Sequence, residues 1–413
     1  MKWPLLAIAA SQLAVLLANF FIFGVLGKRL SPTDFGYYAL GMSVVLFVRQ
    51  CTFDPVSTVI GKDNAVAAAR EYQLTGRFSI MAYIADRMAA VMFAVGVFLT
   101  ILLISFGKAE MVVIVVALSA YLVANGALGL YVNSLYSIRD RALPSAAVSV
   151  DSILRAITVF AMGGLVYFSL ESVVVAIAIS ALFSISVLRW SLRRKYRLPA
   201  NFVPRQRRIA GVFVRALPLF IPCVLVALKG VSDRWIFAGV LGVEKLAGYN
   251  VVYQLGFTPV VLAIGVVQTY LGPEIYRRCL DGSREARSAL MQYLSRLLVG
   301  IVLLGVFATF FSWVFSKDLV VLVVGSGYVD YSRYLPWFVF AGFLHAFLGI
   351  LYVASLGAFD TKTVASLSAA SVFITCSVGV LSVLAWGFAG GVVGLVVSGI
   401  LAGFVYWLAL RYT

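Results

Sequence analysis

Twelve long apolar stretches, in which a charged residue is the exception, constrain this chain more than any other feature. A bilayer core about 30 Å thick takes roughly 20 apolar residues in a helix to cross it. The stretches fall near 5–27, 35–60, 81–106, 111–137, 146–169, 172–188, 212–241, 246–272, 291–316, 334–358, 364–386 and 388–410. Only Glu171 marks the turn inside the pair 146–188, and Leu319–Val324 is apolar but too short to cross, so it is expected at the interface. The pattern predicts an all-α polytopic membrane protein. Charged residues make up only 12% of the 413 positions, against about 25% in soluble domains. Short connections between the spans leave no room in this sequence for a soluble catalytic domain. The opening run from Leu5 to Gly27 is too long for a signal-peptide core and is read as a true span.

The net charge of +16 sits mostly in loops, so it is read as a topology signal and not as a nucleic-acid footprint. Loops after the even-numbered spans hold 18 Lys and Arg, and loops after the odd-numbered spans hold 6. That asymmetry places both termini in the cytoplasm. The largest loop carries Arg189, Arg193, Arg194, Lys195, Arg197, Arg205, Arg207 and Arg208 with no acid. It suits anionic headgroups and separates two sets of six spans. The expected division is 1–195, a basic linker 196–211, and 212–413. Cys51, Cys223, Cys279 and Cys376 have no paired spacing and read as free thiols.

An internal repeat supports two halves. Span 1 has Pro4-Leu5 near its start and ends Asn19 to Gly27, followed by Gly36-Tyr37. Span 7 has Pro218-Leu219 and ends Asp233 to Gly242, followed by Gly248-Tyr249. With one inserted residue the ends align and Asn19 falls opposite Asp233. Both copies start on the same side, so the repeats are parallel, with a symmetry axis along the membrane normal. This predicts two six-helix bundles around a central cavity, with Asn19 and Asp233 on its opposite walls.

Three stretches carry a resemblance. They are Gly27-Lys28-Arg29-Leu30-Ser31-Pro32-Thr33-Asp34-Phe35-Gly36-Tyr37-Tyr38, then Asp233 with Leu241-Gly242-Val243-Glu244-Lys245-Leu246-Ala247-Gly248-Tyr249, and Val324-Gly325-Ser326-Gly327-Tyr328. They resemble turns of the Wzx-type O-antigen and polysaccharide flippases. Those belong to the multidrug/oligosaccharidyl-lipid/polysaccharide exporter superfamily. The resemblance implies alternating-access movement of an undecaprenyl-diphosphate-linked oligosaccharide across the bacterial inner membrane, for polysaccharide or O-antigen synthesis. It implies membrane lipids as neighbours, and a polymerase and chain-length proteins as candidate partners. No cofactor, metal, catalytic residue or nucleic acid is expected. The inner part of span 1 has no base beyond Lys2, so headgroup handling would rest on other spans.

The charges inside the spans are the candidate site. Arg49 lies mid-span 2, where holding an arginine costs about 3 kcal/mol on insertion scales. Its planar fork suits a diphosphate, and a salt bridge to Asp54 or another span is the structural alternative. Asp151 and Arg155 are spaced i, i+4 and can neutralise each other, which does not exclude a place in the cavity. Lys229 and Asp233 repeat that spacing beside Arg234, in a span with Pro218, Pro222 and Gly230 that is expected to bend or break. Arg49, Arg155, Lys229 and Arg234 are the substrate-binding candidates. Asn19, Asp54, Asp151 and Asp233 are the ion-coupling or gating candidates. His345 among Phe340, Phe343 and Phe347 reads as a packed residue before a proton relay, and Asp86-Arg87 as interfacial.

No Walker sequence, zinc spacing or Ser–His–Asp set occurs, so an ion gradient or the substrate gradient must supply the energy. A drug or small-molecule antiporter of the same superfamily, coupled to a cation, is the rival reading. The small excess of intramembrane bases favours an anionic substrate.

Overall fold

The computed structural model describes residues 3–69, 75–107, 111–138, 140–165, 168–196, 206–265, 284–359 and 361–412. Lys2, Cys279 and the 197–205 part of the basic loop lie outside them. Among the described residues the ordered elements are helices, eleven of them long and apolar enough to cross a membrane. They are α1 (Trp3–Arg29), α2 (Pro32–Ala69), α3 (Thr75–Ser105), α4 (Val112–Ser137), α5 (Ala142–Leu165) and α6 (Leu170–Tyr196). Then follow α7 (Gln206–Leu241), α8 (Val243–Gly265), α9 (Arg284–Val324), α10 (Leu335–Ala358) and α11 (Thr361–Tyr412).

Eleven helices give twelve passes because α11 holds two. Gly387 interrupts it with φ 57° and ψ −128°, a conformation that favours glycine. The two arms then pack side by side, and a Cβ on Gly394 would lie 3.2 Å from the Gly379 Cα. The chain is a multi-pass membrane protein, as its hydropathy requires.

Local chemistry sets several ends. Ser31 Oγ accepts from the Asp34 backbone N–H at 3.1 Å and bonds the Asp34 carboxylate at 2.7 Å, with Pro32 at the first helical position. Ser169 and Ser172 cap each other at the start of α6, which resolves the turn that Glu171 only hinted at. Two expectations are corrected here. Leu319–Val324 is no separate interfacial piece but the last turns of α9. Of the bend or break expected in α7, the break is absent: the helix continues through Pro218 and Pro222.

By packing, the chain forms two compact units, 1–22 with 41–227, and 23–40 with 228–413. The divisions fall inside α1, α2 and α7, after Ile22, Leu40 and Ala227, so each of these helices contributes one end to each unit. In the first unit α3, α4, α5 and α6 pack on one another around Phe53, Met81, Tyr131 and Leu135. In the second, α9, α10 and α11 pack in sequence around Leu294, Phe343, Leu351 and Tyr406.

The three glycine–tyrosine stretches meet inside the second unit. A Cβ on Gly36 would overlap the Val243 carbonyl oxygen, and one on Gly27 would overlap the Val324 side chain. Lys28 Nζ donates to the Leu322 carbonyl at 3.1 Å. Phe35 stands edge-on to Tyr328 at 6.1 Å, and Phe388 lies 4.8 Å from Tyr331 and 4.7 Å from Tyr334. These turns follow spans 1, 7, 9 and 11, so their meeting puts all four on one side of the membrane.

Candidate functional site

In the first unit the charges converge on one face of α4. Arg49 of α2 donates from Nη1 to Asn125 Oδ1 at 2.9 Å. Arg155 of α5 lies over the Tyr121 ring, its guanidinium carbon 5.4 Å from the centroid, and pairs with Asp151 one turn before it. Tyr121 and Asn125 are four residues apart, so they are neighbours on the α4 surface. The structure thus brings Arg49, Arg155 and Asp151 to a common helix face. Asp54 interacts with Arg49 electrostatically, but neither forms a direct ion pair among the described residues. The salt-bridge alternative for Arg49 is therefore replaced by a bond to a neutral amide. Its Nε is buried without a hydrogen-bonding partner among the described residues, as is Asp151 Oδ1. Buried polar atoms left unpaired are uncommon and ask for a reason.

In the second unit Asp233 is the organising residue. Its Oδ2 accepts from the Tyr249 hydroxyl at 2.7 Å and its Oδ1 from the Arg234 backbone N–H at 2.9 Å. Arg234, 7% exposed, donates to the Gly230 carbonyl at 3.1 Å and lies 4.5 Å from the Tyr253 ring centroid. Tyr253 opens a π-helical turn in α8, Tyr253–Phe257. Such turns recur at functional sites. Asp233 lines a cavity of about 20 Å³ with Ser232, Tyr249, Thr375 and Ser398. That volume is enough for about one water.

Lys229 departs from its expected partner. It donates to Ser371 Oγ of α11 at 2.7 Å and makes no ion pair with Asp233 among the described residues. The carboxylate is already occupied by Tyr249. The repeat is also not matched chemically. Asn19 is half-buried in α1 with no side-chain hydrogen bond among the described residues, and Tyr37, the counterpart of Tyr249, is 45% exposed while Tyr249 is 0%. Asp233 itself lines a cavity inside its own unit.

His345 is a packed residue: its Nε2 lies 3.1 Å from the Leu395 carbonyl, and Phe257 stands edge-on at 5.3 Å. Asp86 pairs with Arg189 at 2.8 Å, and Asp63 holds Arg215 through two 2.7 Å bonds. Sequence reasoning missed Tyr121, Asn125, Tyr253 and Ser371. Asn125 had a signal, being one of two amides in a mostly apolar span. The other three had none, because tyrosine and serine are ordinary in membrane helices.

Residues 5–277 match the family described as "Polysaccharide biosynthesis protein". Among curated proteins, none matches the chain in sequence. Solved structures share its fold. An outward-facing multidrug resistance MATE family transporter of the MOP superfamily aligns with TM-score 0.63 and 14% identity, covering 99% of this chain and 95% of its own. The Vibrio cholerae MATE transporter VcmN in its bent form gives 0.62 and 17%, over 100% and 95%. A MOP superfamily transporter from Pyrococcus furiosus, titled for the reverse polarity of its binding pocket, gives 0.54 and 16%, over 100% and 97%. At these identities the likeness speaks for the fold alone.

Proposed function

The chain belongs to the polysaccharide biosynthesis protein family, and from that membership we propose that it is a transporter that flips an undecaprenyl-diphosphate-linked oligosaccharide across the bacterial inner membrane. The observation that carries this reading is Arg49. A guanidinium within a membrane helix, hydrogen-bonded to a neutral amide, in no direct ion pair among the described residues and with Asp54 acting on it only at longer range, has donors to offer a ligand. A diphosphate supplies the opposite charge and matches the planar donor fork. Arg155 adds a second cation on the same face of α4, partly offset by Asp151. A cationic drug, the substrate of the rival reading, would meet two guanidinium groups at this face.

Coupling, in this reading, uses Asp233. It is a carboxylate beside a small, mostly apolar cavity with room for about one water. Lys229 and Arg234 act as supports of this cluster through Ser371 and Tyr253. Both termini lie in the cytoplasm, and a polymerase and chain-length proteins receive the flipped unit.

The test is polysaccharide export in cells whose only copy of the protein carries Arg49→Ala. Loss of export at normal protein level supports the reading. Full export from the double variant Arg49→Ala with Arg155→Ala sinks it.

A further inference from the structure

A further cavity within the first unit belongs to neither charged cluster. It measures about 440 Å³ and lies among α2, α3 and the first part of α7, between Pro55, Val91, Met92, Leu217 and Phe220. That is the size range of small-molecule sites. Three of its walls are open to the surroundings: Val91 is 58% exposed, Leu217 68% and Phe220 47%. These exposed side chains are all apolar, the composition of a lipid-facing surface, so the groove is read as opening sideways into the bilayer.

One charge lines it, Arg87. Arg87 Nε donates to the Tyr83 hydroxyl at 3.1 Å and its guanidinium lies 5.1 Å from the Tyr83 ring. It makes no ion pair among the described residues, because the adjacent Asp86 is taken by Arg189. Tyr83 thus fixes the guanidinium through Nε, and its two terminal nitrogens make no hydrogen bond among the described residues. The Asp86–Arg189 pair marks this level as the end that the positive-inside count assigns to the cytoplasm.

We propose that the groove holds an anionic glycerophospholipid, with an acyl chain between α3 and α7 and its phosphodiester on Arg87. Basic pockets between membrane helices on the cytoplasmic side bind such headgroups. The charge count selects the class. One guanidinium balances one phosphodiester, whereas a diphosphate would need a second cation and none lines the groove. No carboxylate lines it either, so the ammonium of a zwitterionic headgroup has no partner. The lipid is therefore distinct from the transported substrate, and the site is independent of the proposed function. The neighbouring Asp63–Arg215 pair ties α2 to α7, two of the three helices around the groove.

Native mass spectrometry of the purified full chain in mild detergent tests this without a transport assay. The probes are phosphatidylglycerol, phosphatidylethanolamine and undecaprenyl diphosphate, offered separately and in competition. Phosphatidylglycerol should be retained preferentially. Arg87→Gln should lower its retention about tenfold, the loss of one hydrogen bond to a charged group. Arg87→Lys should retain most of it. Leu217→Trp and Val91→Trp should lower it by filling the groove, and both positions already face outward, so folding is preserved. Equal phosphatidylglycerol binding in wild type and all four variants would overturn the site. Phosphatidylethanolamine binding as well as phosphatidylglycerol would overturn the lipid class. So would Arg87-dependent displacement by undecaprenyl diphosphate.

Discussion

The Asp233 carboxylate accepts a 2.7 Å hydrogen bond from the hydroxyl of Tyr249, sixteen residues later and on the next helix. Tyr249 is fully buried, and its ring lies 4.1 Å from Phe237, one turn beyond Asp233 on α7. The pair joins α7 to α8 across the positive-φ turn at Gly242. It separates a structural role from a functional one. Tyr249→Phe keeps the ring packing and removes one hydrogen bond to a charged group. It should cost about 1.5–3 kcal/mol of stability, read as a lower melting temperature in detergent, with export still detectable. Asp233→Asn keeps an acceptor for Tyr249 and removes the charge. It should abolish ion-dependent export at normal protein level. Wild-type export from Asp233→Asn would take the carboxylate out of coupling.

Arg49 and Asn125 make a second separable pair. Asn125→Ala leaves the guanidinium charged but unsupported, and should raise the substrate concentration needed for half-maximal flipping in proteoliposomes. Arg49→Ala should reduce flipping about 10- to 100-fold, the equivalent of a charge-assisted bond of about 1.5–3 kcal/mol. Arg49→Lys should fall between, since a point charge cannot replace a planar fork. If Arg49→Lys equals wild type, the bidentate argument fails. If Arg49→Ala lowers protein level in step with activity, Arg49 is a structural residue.

The fold was legible because the bilayer imposes one length on every pass. Even the break inside α11 shows as an apolar run too long for one span, with Gly387 between two lengths that each fit. The units were less legible. Gly27, Gly36, Gly248 and Gly325 look like markers of separate turns, yet Gly36 abuts Val243 and Gly27 abuts Val324, which carries 23–40 into the second unit. Such contacts link residues far apart in sequence, and hydropathy does not encode them. The candidate site was half legible. The i, i+4 spacing correctly pairs Asp151 with Arg155. The same spacing misleads at Lys229 and Asp233, because Tyr249 and Ser371 come from other helices and compete for each group.

Gly387 is where the chain turns between the last two spans, at a φ of 57°. A β-branched side chain there should cost about 1–3 kcal/mol in backbone strain. Gly387→Val should lower the melting temperature and the amount of inserted protein. Gly403→Ala is the control, since a Cβ there meets nothing within 4 Å and the position is helical. It should be neutral or slightly stabilising. Equal stability of the two variants would mean that the hairpin is not held at Gly387.

The sidedness of the membrane passes can be read with single cysteines placed after Cys51, Cys223, Cys279 and Cys376 are replaced. Ser31 lies in the turn that meets the ends of α7 and α9 at one side of the second unit, and it is exposed. Ser191 lies near the basic end of α6, two residues past Arg189 and its partner Asp86. The Lys and Arg asymmetry places the Ser31 side outside and the Ser191 side in the cytoplasm. A cysteine at 31 should therefore react with a membrane-impermeant thiol reagent in intact cells. One at 191 should react only after the membrane is opened. Replacing Ser31 removes a helix cap worth about 0.5–2 kcal/mol, so insertion is checked by total labelling in detergent. Reversed labelling at both sites would invert the orientation. It would put the bases of α6 outside and leave Arg87 on the leaflet away from the cytoplasm.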